Sequence, residues 1–265
     1  MNELATAVQA ARSAGAILRE EYQKNHKGQR KSDNTLVSEA DLIAEKAILG
    51  IIQQTFPEHS IFSEESGFAS PKPGEGGHAT SEYLWIVDPL DGSTNFLERL
   101  HHFAVAIALV KSGEPRLGVI YHPLTDELFC AEAGQGATLN GEPLQPSTET
   151  DLARALVHFA RGHVNTERHA KIYQAVTTRT HSLRLIGSAS LGSAYTSAGR
   201  FSAHVASDCK IYDAIAGSVI AKSAGLKVTD FAGNDWQPDV SDPASASDII
   251  ISGPNIHDQL IAALR

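Results

Sequence analysis

The chain has 265 residues, enough for one large domain or two modest ones and for a substantial hydrophobic core. Hydrophobic residues make up 42% of it and charged residues 20%, proportions that exclude a disordered or fibrous protein. The formal net charge of -9 argues against nucleic acid as a partner, because such binding needs Lys and Arg clustered on one face. Anionic small substrates remain compatible with this charge if cations mediate.

Two helices are predicted at the start of the chain, over residues 3–22 and 38–54, where apolar residues recur at helical spacing. The first helix lacks the unbroken apolar centre of a secretion signal, and no run is long enough to span a membrane. We therefore expect a cytoplasmic protein without membrane contact. Residues 23–34 between the helices are polar, basic and contain Gly, which predicts a mobile loop. Cys130 and Cys209 lie far apart in no metal-type or redox spacing, as is typical of reduced cytoplasmic thiols.

A sheet is predicted in the next part of the chain. Residues 60–66 indicate a strand that ends in two glutamates, and residues 67–82 have no periodicity, which predicts a flexible excursion. Apolar or alternating runs separated by short turns follow, at the spacing of an antiparallel meander: 83–88, 103–110, 116–123 and 127–134.

The C-terminal half alternates strands and helices. The pattern predicts a strand at 155–160 and helices at 166–178 and 213–225, the last ended by Gly225. A further helix, capped by Gly199, has one face formed by Leu191, Ala194, Tyr195 and Ala198. Together the two halves predict α and β layers packed against one another.

Two aspartates, Asp88 and Asp91, follow an apolar run in the stretch IVDPLDGSTNF, residues 86–96. By itself DPLDG forms a good turn, in which Asp opens the turn, Pro sets the next φ and Gly accepts a positive one. Three features favour a functional site instead. The Asp88 carboxylate leaves a buried strand at its carboxyl end, where open α/β folds bind ligands. GSTN after Asp91 is suited to starting a helix with free N–H groups, which is an anion site. Other acidic residues occupy similar strand ends or helix starts: Glu64, Glu65 and Asp213.

Carboxylates that converge in a partly dry pocket repel one another, so bound cations are expected between them. All-oxygen ligands indicate a hard ion, and Mg²⁺ is the one usually held by a few carboxylates together with substrate phosphate oxygens. Zinc fits poorly, because the twelve histidines show no helical ligand spacing.

Four motifs resemble those of a known family. EES at 64–66, WIVDPLDGSTNF at 85–96 and YDAIAG at 212–217 resemble, in order, the three signatures of the inositol monophosphatase family of Mg²⁺-dependent, lithium-sensitive phosphatases. LVSEAD at 36–41 is similar to a fourth element, V-T-x-x-D. The resemblance implies an α/β fold of the αβαβα five-layer sandwich type, forming one catalytic domain over residues 1–265 with halves of about 1–147 and 148–265. It also implies a homodimer.

The resemblance assigns a role to each matching residue. It implies two or three Mg²⁺ ions, with Glu64 bridging metal and the attacking water, Asp88 shared by two ions, and Asp91 and Asp213 on the second ion. Leu90 would offer its carbonyl to the first ion. The N–H groups of Gly92 and Ser93 would bind phosphate, and the Ser93 hydroxyl would orient the water with Glu64. Asp41 would position that hydroxyl. Contacts to substrate are implied for Asp91, Ala189 and Lys210, and Lys31 or Arg30 would come from the mobile loop.

The substrate is less well determined than the reaction. Family members that bind inositol or histidinol carry Glu seven residues before the last metal aspartate, and here that residue is Ala206. Asp208 is a candidate replacement, and Tyr212 stands where Trp is usual. Lys210 either binds a second anionic group, which would favour a bisphosphate, or is a solvated surface lysine.

The leading hypothesis is Mg²⁺-dependent hydrolysis of a small polyol or sugar phosphate, with inositol 1-phosphate as the default. Alternative substrates are fructose 1,6-bisphosphate, histidinol phosphate and adenosine 3',5'-bisphosphate. A hypothesis of a different class is a protein that binds a macromolecular partner, with phosphatase activity secondary or lost.

Overall fold

Two β-sheets separate three layers of helices in the computed structural model, which describes residues 2–24, 28–30, 36–69, 81–162 and 166–265. The layers follow one another as α, β, α, β, α, and the predicted five-layer sandwich is confirmed. Three clusters of buried apolar side chains fill the four interfaces between the layers, and one of them surrounds the middle helices and contacts both sheets. In the described ranges no helix is both long and apolar enough to cross a membrane.

The first helical layer consists of α1 (Glu3–Glu21) and α2 (Glu39–Thr55), which confirms both predicted helices to within a residue or two. Helix α1 begins at Asn2, whose side chain accepts a hydrogen bond from the Ala5 N–H. The buried face of α1 lies against α2 and the large sheet. It consists mostly of small side chains and includes Ala7, Ala10, Ala14 and Leu18.

The large sheet has eight strands in the order β10-β9-β8-β7-β6-β5-β3-β4. Strands β3 and β5 run parallel, and every other pair is antiparallel. The predicted meander corresponds to β5 through β8 and is confirmed. The strands are β3 (Ser60–Ser63), β4 (Gly67–Phe68), β5 (Tyr83–Asp91), β6 (Ala104–Lys111), β7 (Glu114–His122), β8 (Glu127–Glu132), β9 (Ala137–Leu139) and β10 (Glu142–Pro143).

Two predicted loops contain short strands. In the segment predicted as a mobile loop, β1 (Gln29–Arg30) pairs with β2 (Leu36–Val37), so that prediction was wrong for Gln29 and Arg30. Strand β4 likewise lies at the start of the predicted excursion and pairs with β3. A two-residue strand is too short to show a period of two, which explains why the sequence pattern missed both. Lys31 and residues 70–80 lie outside the described residues.

The small sheet comes from the C-terminal half and has the order β12-β11-β13-β15-β14. Its strands β11, β12 and β13 run parallel, as expected for strands covered by helices on both faces. The strands are β11 (Leu156–Arg161), β12 (Ser182–Arg184), β13 (Ala203–Lys210), β14 (Lys227–Thr229) and β15 (Ala246–Ser252). The division of the chain into two halves of one domain remains a prediction.

Helices of the second half cover both faces of the small sheet. Helices α5 (Ala189–Ser197) and α6 (Ile211–Ser223) lie between the two sheets, while α4 (Glu167–Thr177) and α7 (Pro254–Leu264) form the outer layer. A one-turn helix, α3 (Ser93–Leu97), directly follows β5. The predicted cap at Gly199 is confirmed, and α6 begins at Ile211, two residues earlier than predicted.

Helix α6 packs against its neighbours with backbone in contact. A Cβ atom added to Gly118 on β7 would lie 2.3 Å from the Ala216 carbonyl oxygen of α6. A Cβ atom on Gly217 would lie 1.9 Å from the Ser193 Oγ of α5. Because backbone atoms of a packed helix cannot move aside as a flexible side chain can, these two glycines set the distance of α6 from the large sheet and from α5.

We expect Gly118→Ala to lower the free energy of unfolding by about 1–3 kcal/mol, because the new methyl group overlaps the α6 backbone. Gly50→Ala is the matched control, since Gly50 is exposed on α2 and an added Cβ meets no atom within 4 Å. This control should gain about 0.5–1 kcal/mol from helix propensity. Urea denaturation of both variants measures the change in the free energy of unfolding. A Gly118→Ala variant as stable as the parent would contradict the close packing of α6 on β7.

Candidate metal and phosphate site

A cavity of about 440 Å³ opens where the carboxyl ends of β5, β11 and β13 meet the first residues of α3, α5 and α6. This is the edge at which α/β sheets usually bind ligands. Nearly all the site residues predicted from sequence line the cavity: Glu64, Asp88, Leu90, Asp91, Gly92, Ser93, Ala189, Lys210 and Asp213. Asp41 does not line it and reaches it through Ser93.

Asp88, at the end of β5, is fully buried. Its Oδ1 accepts a hydrogen bond of 3.0 Å from the Leu90 N–H, and its Oδ2 has no hydrogen-bond partner among the residues that the structure describes. Burial raises the pKa of the Asp88 carboxyl well above its usual value, and neighbouring carboxylates, Glu64 foremost, raise it further. A buried, charged oxygen without a hydrogen bond needs a positive partner.

Asp91 follows a register shift in the pairing of β5 with β6, and it too is buried. Its Oδ2 accepts hydrogen bonds from the Ser190 N–H at 2.8 Å and from the Ser188 hydroxyl, both at the start of α5. Burial raises the pKa of the Asp91 carboxyl, and these hydrogen bonds oppose the rise. The carboxylate therefore lies at the positive end of α5, which joins the large sheet to the middle helical layer.

Asp213 lies in the first turn of α6. Burial raises the pKa of its carboxyl well above the usual value, the charges of Asp91 and Glu64 add to the rise, and Lys210 opposes it. One carboxylate oxygen from each of Asp88, Asp91 and Asp213 lies within 4.8 Å of the other two. Three mutually repelling carboxylates, of which Asp88 has one oxygen without a hydrogen-bond partner among the described residues, fit a hard divalent ion such as Mg²⁺.

Glu64 follows β3 and lies beside Asp88. Its N–H donates to the Val87 carbonyl at 3.0 Å, which extends the β3–β5 pairing to the residue before Asp88. The Glu64 side chain is half-buried and lines the cavity, and its charge raises the pKa of both Asp88 and Asp213. It is not a member of the group of three within 4.8 Å, so it borders that group rather than completing it.

The turn from β5 into α3 places main-chain N–H groups at the cavity. Gly92 has φ of 90°, and a Cβ atom there would lie 2.8 Å from the His102 carbonyl oxygen, so a side chain would both strain the backbone and collide. Ser93 is the first residue of α3, and both residues line the cavity. The predicted helix start after Asp91 is confirmed.

Asp41 holds the Ser93 hydroxyl. Its Oδ1 accepts from the Ser93 Oγ at 2.8 Å, and its Oδ2 accepts from the N–H and the hydroxyl of Ser38, at 2.8 Å and 2.6 Å. The Ser93 Oγ also lies 2.9 Å from the Leu90 carbonyl oxygen, so one hydroxyl hydrogen has two alternative acceptors. Burial raises the pKa of the Asp41 carboxyl, and the hydrogen bonds from Ser38 and Ser93 oppose the rise.

The wall of the cavity at the end of β13 contains Asp208 and Lys210, two of the residues expected to select the substrate. Ala206 is buried in the apolar core between the layers and does not line the cavity. A register shift follows it in β13, and Asp208 has φ of 52° there. The Asp208 carboxylate lies 2.8 Å from His169 Nε2 and 3.4 Å from Arg168 Nη1. The candidate replacement for the missing Glu is thus already engaged by protein groups.

Lys210 lines the same wall, and its ammonium donates to the Ala244 carbonyl at 2.7 Å. Tyr212 also lines the cavity and stacks on Phe62 with ring centroids 6.3 Å apart. Arg161, at the end of β11, is a second lining cation that sequence reasoning missed. Its position at the end of a predicted strand, at the same edge as Lys210, was the available signal.

Three other contributors were missed. Ser188 and Ser190 bind Asp91, and the serine-rich start of a predicted helix was the only signal for them. Asn95 Nδ2 donates to the His102 and Ile186 carbonyls, at 2.6 Å and 2.7 Å, and so ties α3 to the loop that leads into α5. Asn95 lies within the quoted motif, but nothing in the sequence indicates a carbonyl 91 residues away.

Comparison with known proteins agrees with this geometry. Residues 1–265 match the inositol monophosphatase family. The Nus factor SuhB of Salmonella typhimurium strain LT2 is 34% identical over 269 residues, covering 99% of this chain and 95% of that protein. The extragenic suppressor protein suhB of Bartonella henselae superimposes with a TM-score of 0.87 at 34% identity, covering 98% of this chain and 97% of that one. An IMPase of Thermotoga maritima gives a TM-score of 0.87 at 30% identity, covering 100% and 97%. The chain belongs to the inositol monophosphatase family, a family of phosphatases that generally depend on Mg²⁺.

Proposed function

We propose that the chain hydrolyses a small-molecule phosphate monoester in the presence of Mg²⁺, with inositol 1-phosphate as the first substrate to test. The observation that carries the proposal is the group of three carboxylate oxygens, from Asp88, Asp91 and Asp213, within 4.8 Å of one another in a cavity. Gly92 and Ser93 at the start of α3 line the same cavity, and their N–H groups would supply the complementary charge for a phosphate.

The metal ligands are proposed from position and chemistry. Asp88, Asp91 and Asp213 would hold one ion, and Asp88, Glu64 and the Leu90 carbonyl would hold a second. The bordering position of Glu64 beside Asp88 supports this division. Bound Mg²⁺ would neutralise the carboxylates and the phosphate oxygens and lower the pKa of a water molecule. A third ion is compatible with the same donors.

The chain's own groups orient the reactants. When the Ser93 hydroxyl donates its hydrogen to Asp41, its lone pairs face away from Asp41 and can accept a hydrogen bond from a water molecule. The Glu64 carboxylate, which lines the same cavity, would accept the proton that the water loses as it attacks phosphorus. The N–H groups of Gly92 and Ser93 hold the phosphate in line, so catalysis consists mainly of positioning and charge neutralisation.

The wall of the cavity that contains Lys210 and Arg161 selects the alcohol part of the substrate. Without a carboxylate at residue 206, the hydroxyl groups of inositol lose the acceptor that other members offer. Lys210 and Arg161 favour a substrate with a second anionic group, so fructose 1,6-bisphosphate and adenosine 3',5'-bisphosphate remain candidates, as does histidinol phosphate. The family resemblance further supports a homodimer.

A second candidate function is binding to a macromolecular partner. The relative at 34% identity is named as a Nus factor and not as a phosphatase, and this name supports the proposal. It also gives no support to our expectation that nucleic acid is excluded as a partner.

Phosphate release from a panel of the candidate substrates, with and without Mg²⁺, separates the two functions. We expect release from at least one substrate that requires Mg²⁺ and stops when a chelator is added. If the folded protein releases phosphate from none of these substrates, the phosphatase proposal is wrong and partner binding is favoured.

Asp88→Asn should reduce phosphate release by at least about 100-fold, because the substitution removes a ligand and leaves a neutral group among the carboxylates. The variant should remain folded without Mg²⁺, since one source of repulsion is gone. Asp258→Asn is the matched control, because that carboxylate is 84% exposed on the outer helix α7, and its activity should equal that of the parent. Near-parental activity of purified Asp88→Asn would remove the basis of the metal assignment.

Thermal stabilisation by Mg²⁺ should grow as the pH rises. Folding raises the pKa of Asp88 and Asp213 above the ordinary carboxyl value of about 4, so without metal these groups destabilise the fold increasingly as the pH rises above that value. Protons compete with Mg²⁺ for the same oxygens. At pH 8 and an Mg²⁺ concentration 100 times the Kd we expect a rise in Tm of about 5–10 °C, with a smaller rise at pH 5. Scanning calorimetry at both pH values tests this, and equal rises would contradict it.

A further inference from the structure

Helix α2 carries a second buried carboxylate one turn beyond Asp41. Glu45 is only 7% exposed, and its separation of four residues from Asp41 places both side chains on one face of the helix. Asp41 binds the Ser93 hydroxyl at the cavity, whereas the function described above leaves Glu45 without a role.

The Glu45 carboxylate binds one residue twice. Its Oε1 accepts from the Ser66 N–H at 3.1 Å and from the Ser66 hydroxyl at 3.0 Å. Ser66 itself is exposed, so without Glu45 its polar groups would turn to water. A buried carboxylate that accepts two hydrogen bonds from a turn restricts that turn far more than solvent does.

Ser66 lies two residues after Glu64, in the turn that joins β3 to β4. On the other side, the Glu64 N–H is held by the Val87 carbonyl, in the residue that precedes Asp88. The main chain from Glu64 to Ser66 is therefore fixed at two points, by the large sheet and by α2. Because the main chain is held at both ends of this turn, the Glu64 side chain keeps its direction toward the cavity that it lines.

We propose that Glu45 is a positioning residue for Glu64, holding the turn through Ser66 so that the Glu64 carboxylate stays beside Asp88. This inference rests on the proposed function only for its effect on turnover, since its effect on Mg²⁺ binding does not require a substrate. Substrate binding should change little, because the N–H groups of α3 belong to a different loop.

Glu45→Ala should raise the Kd for Mg²⁺ by about 10-fold, the lower end of the effect seen when groups that orient metal ligands are lost. The turnover number should fall by a similar factor, with KM for the preferred substrate within about 2-fold of the parent. Glu45→Gln should recover most of the affinity, because the amide oxygen can still accept from Ser66. Ser66→Ala keeps the N–H and should show a smaller loss. Glu39→Ala, an exposed position on the same helix, is the control expected to match the parent.

Isothermal titration with Mg²⁺ alone measures the Kd of the intact chain and its variants. A folded Glu45→Ala variant with parental Mg²⁺ affinity would overturn the proposal, even if its Tm were lower. If Glu45→Ala does not fold, the Mg²⁺ affinity of Ser66→Ala is the test. Parental affinity in Ser66→Ala would then overturn the proposal. A parent that binds Mg²⁺ but releases no phosphate would reject the proposed function while leaving this inference to the titration.

Discussion

Mutual repulsion among buried carboxylates is the constraint on which the rest of the structure depends. Two unit charges 4.8 Å apart repel by about 3–4 kcal/mol at an effective dielectric constant of about 20, and Asp88, Asp91 and Asp213 form three such pairs. The fold opposes this repulsion with rigid supports: a strand buried on both faces for Asp88, the start of α5 for Asp91 and the first turn of α6 for Asp213. Bound cations would relieve it, and stability and ligand binding would then be coupled through the same oxygens.

The supports come from different parts of the chain. Asp88 and Asp91 belong to the large sheet, Asp213 to the helix between the sheets, and the Asp91 carboxylate binds α5 directly. Because Gly118 lets the α6 backbone contact β7 and Gly217 leaves room for the Ser193 side chain of α5, the distance between the aspartates follows from the packing of whole layers rather than from one loop. The large sheet and the helices between the sheets are therefore both needed to present this small group of oxygen atoms.

Much of the fold and the meeting of the three aspartates could be predicted because the signals are local. Apolar runs and turns identify β5 through β8, and acidic residues at strand ends and helix starts mark the cluster. What could not be predicted depends on contacts distant in sequence or on strands too short for periodicity. The donors to Asp91 lie 97 and 99 residues away, and β1 and β4 have two residues each. The register shift after Ala206 also defeats counting back from Asp213, since an extra residue in a strand reverses which side chains face the cavity.

The close packing of α6 on β7 separates the position of Asp213 from the shape of the rest of the cavity. A helix whose backbone touches β7 cannot shift to admit a bulkier molecule, so the aspartate it carries stays where it is when the neighbourhood is altered. Space for a different alcohol has to come from the rim of the cavity that contains Leu185 and Arg161. Both residues are exposed, so substitutions there leave the core unchanged. Substitutions at this rim can therefore change which molecules fit the cavity while the positions of the three aspartates are kept.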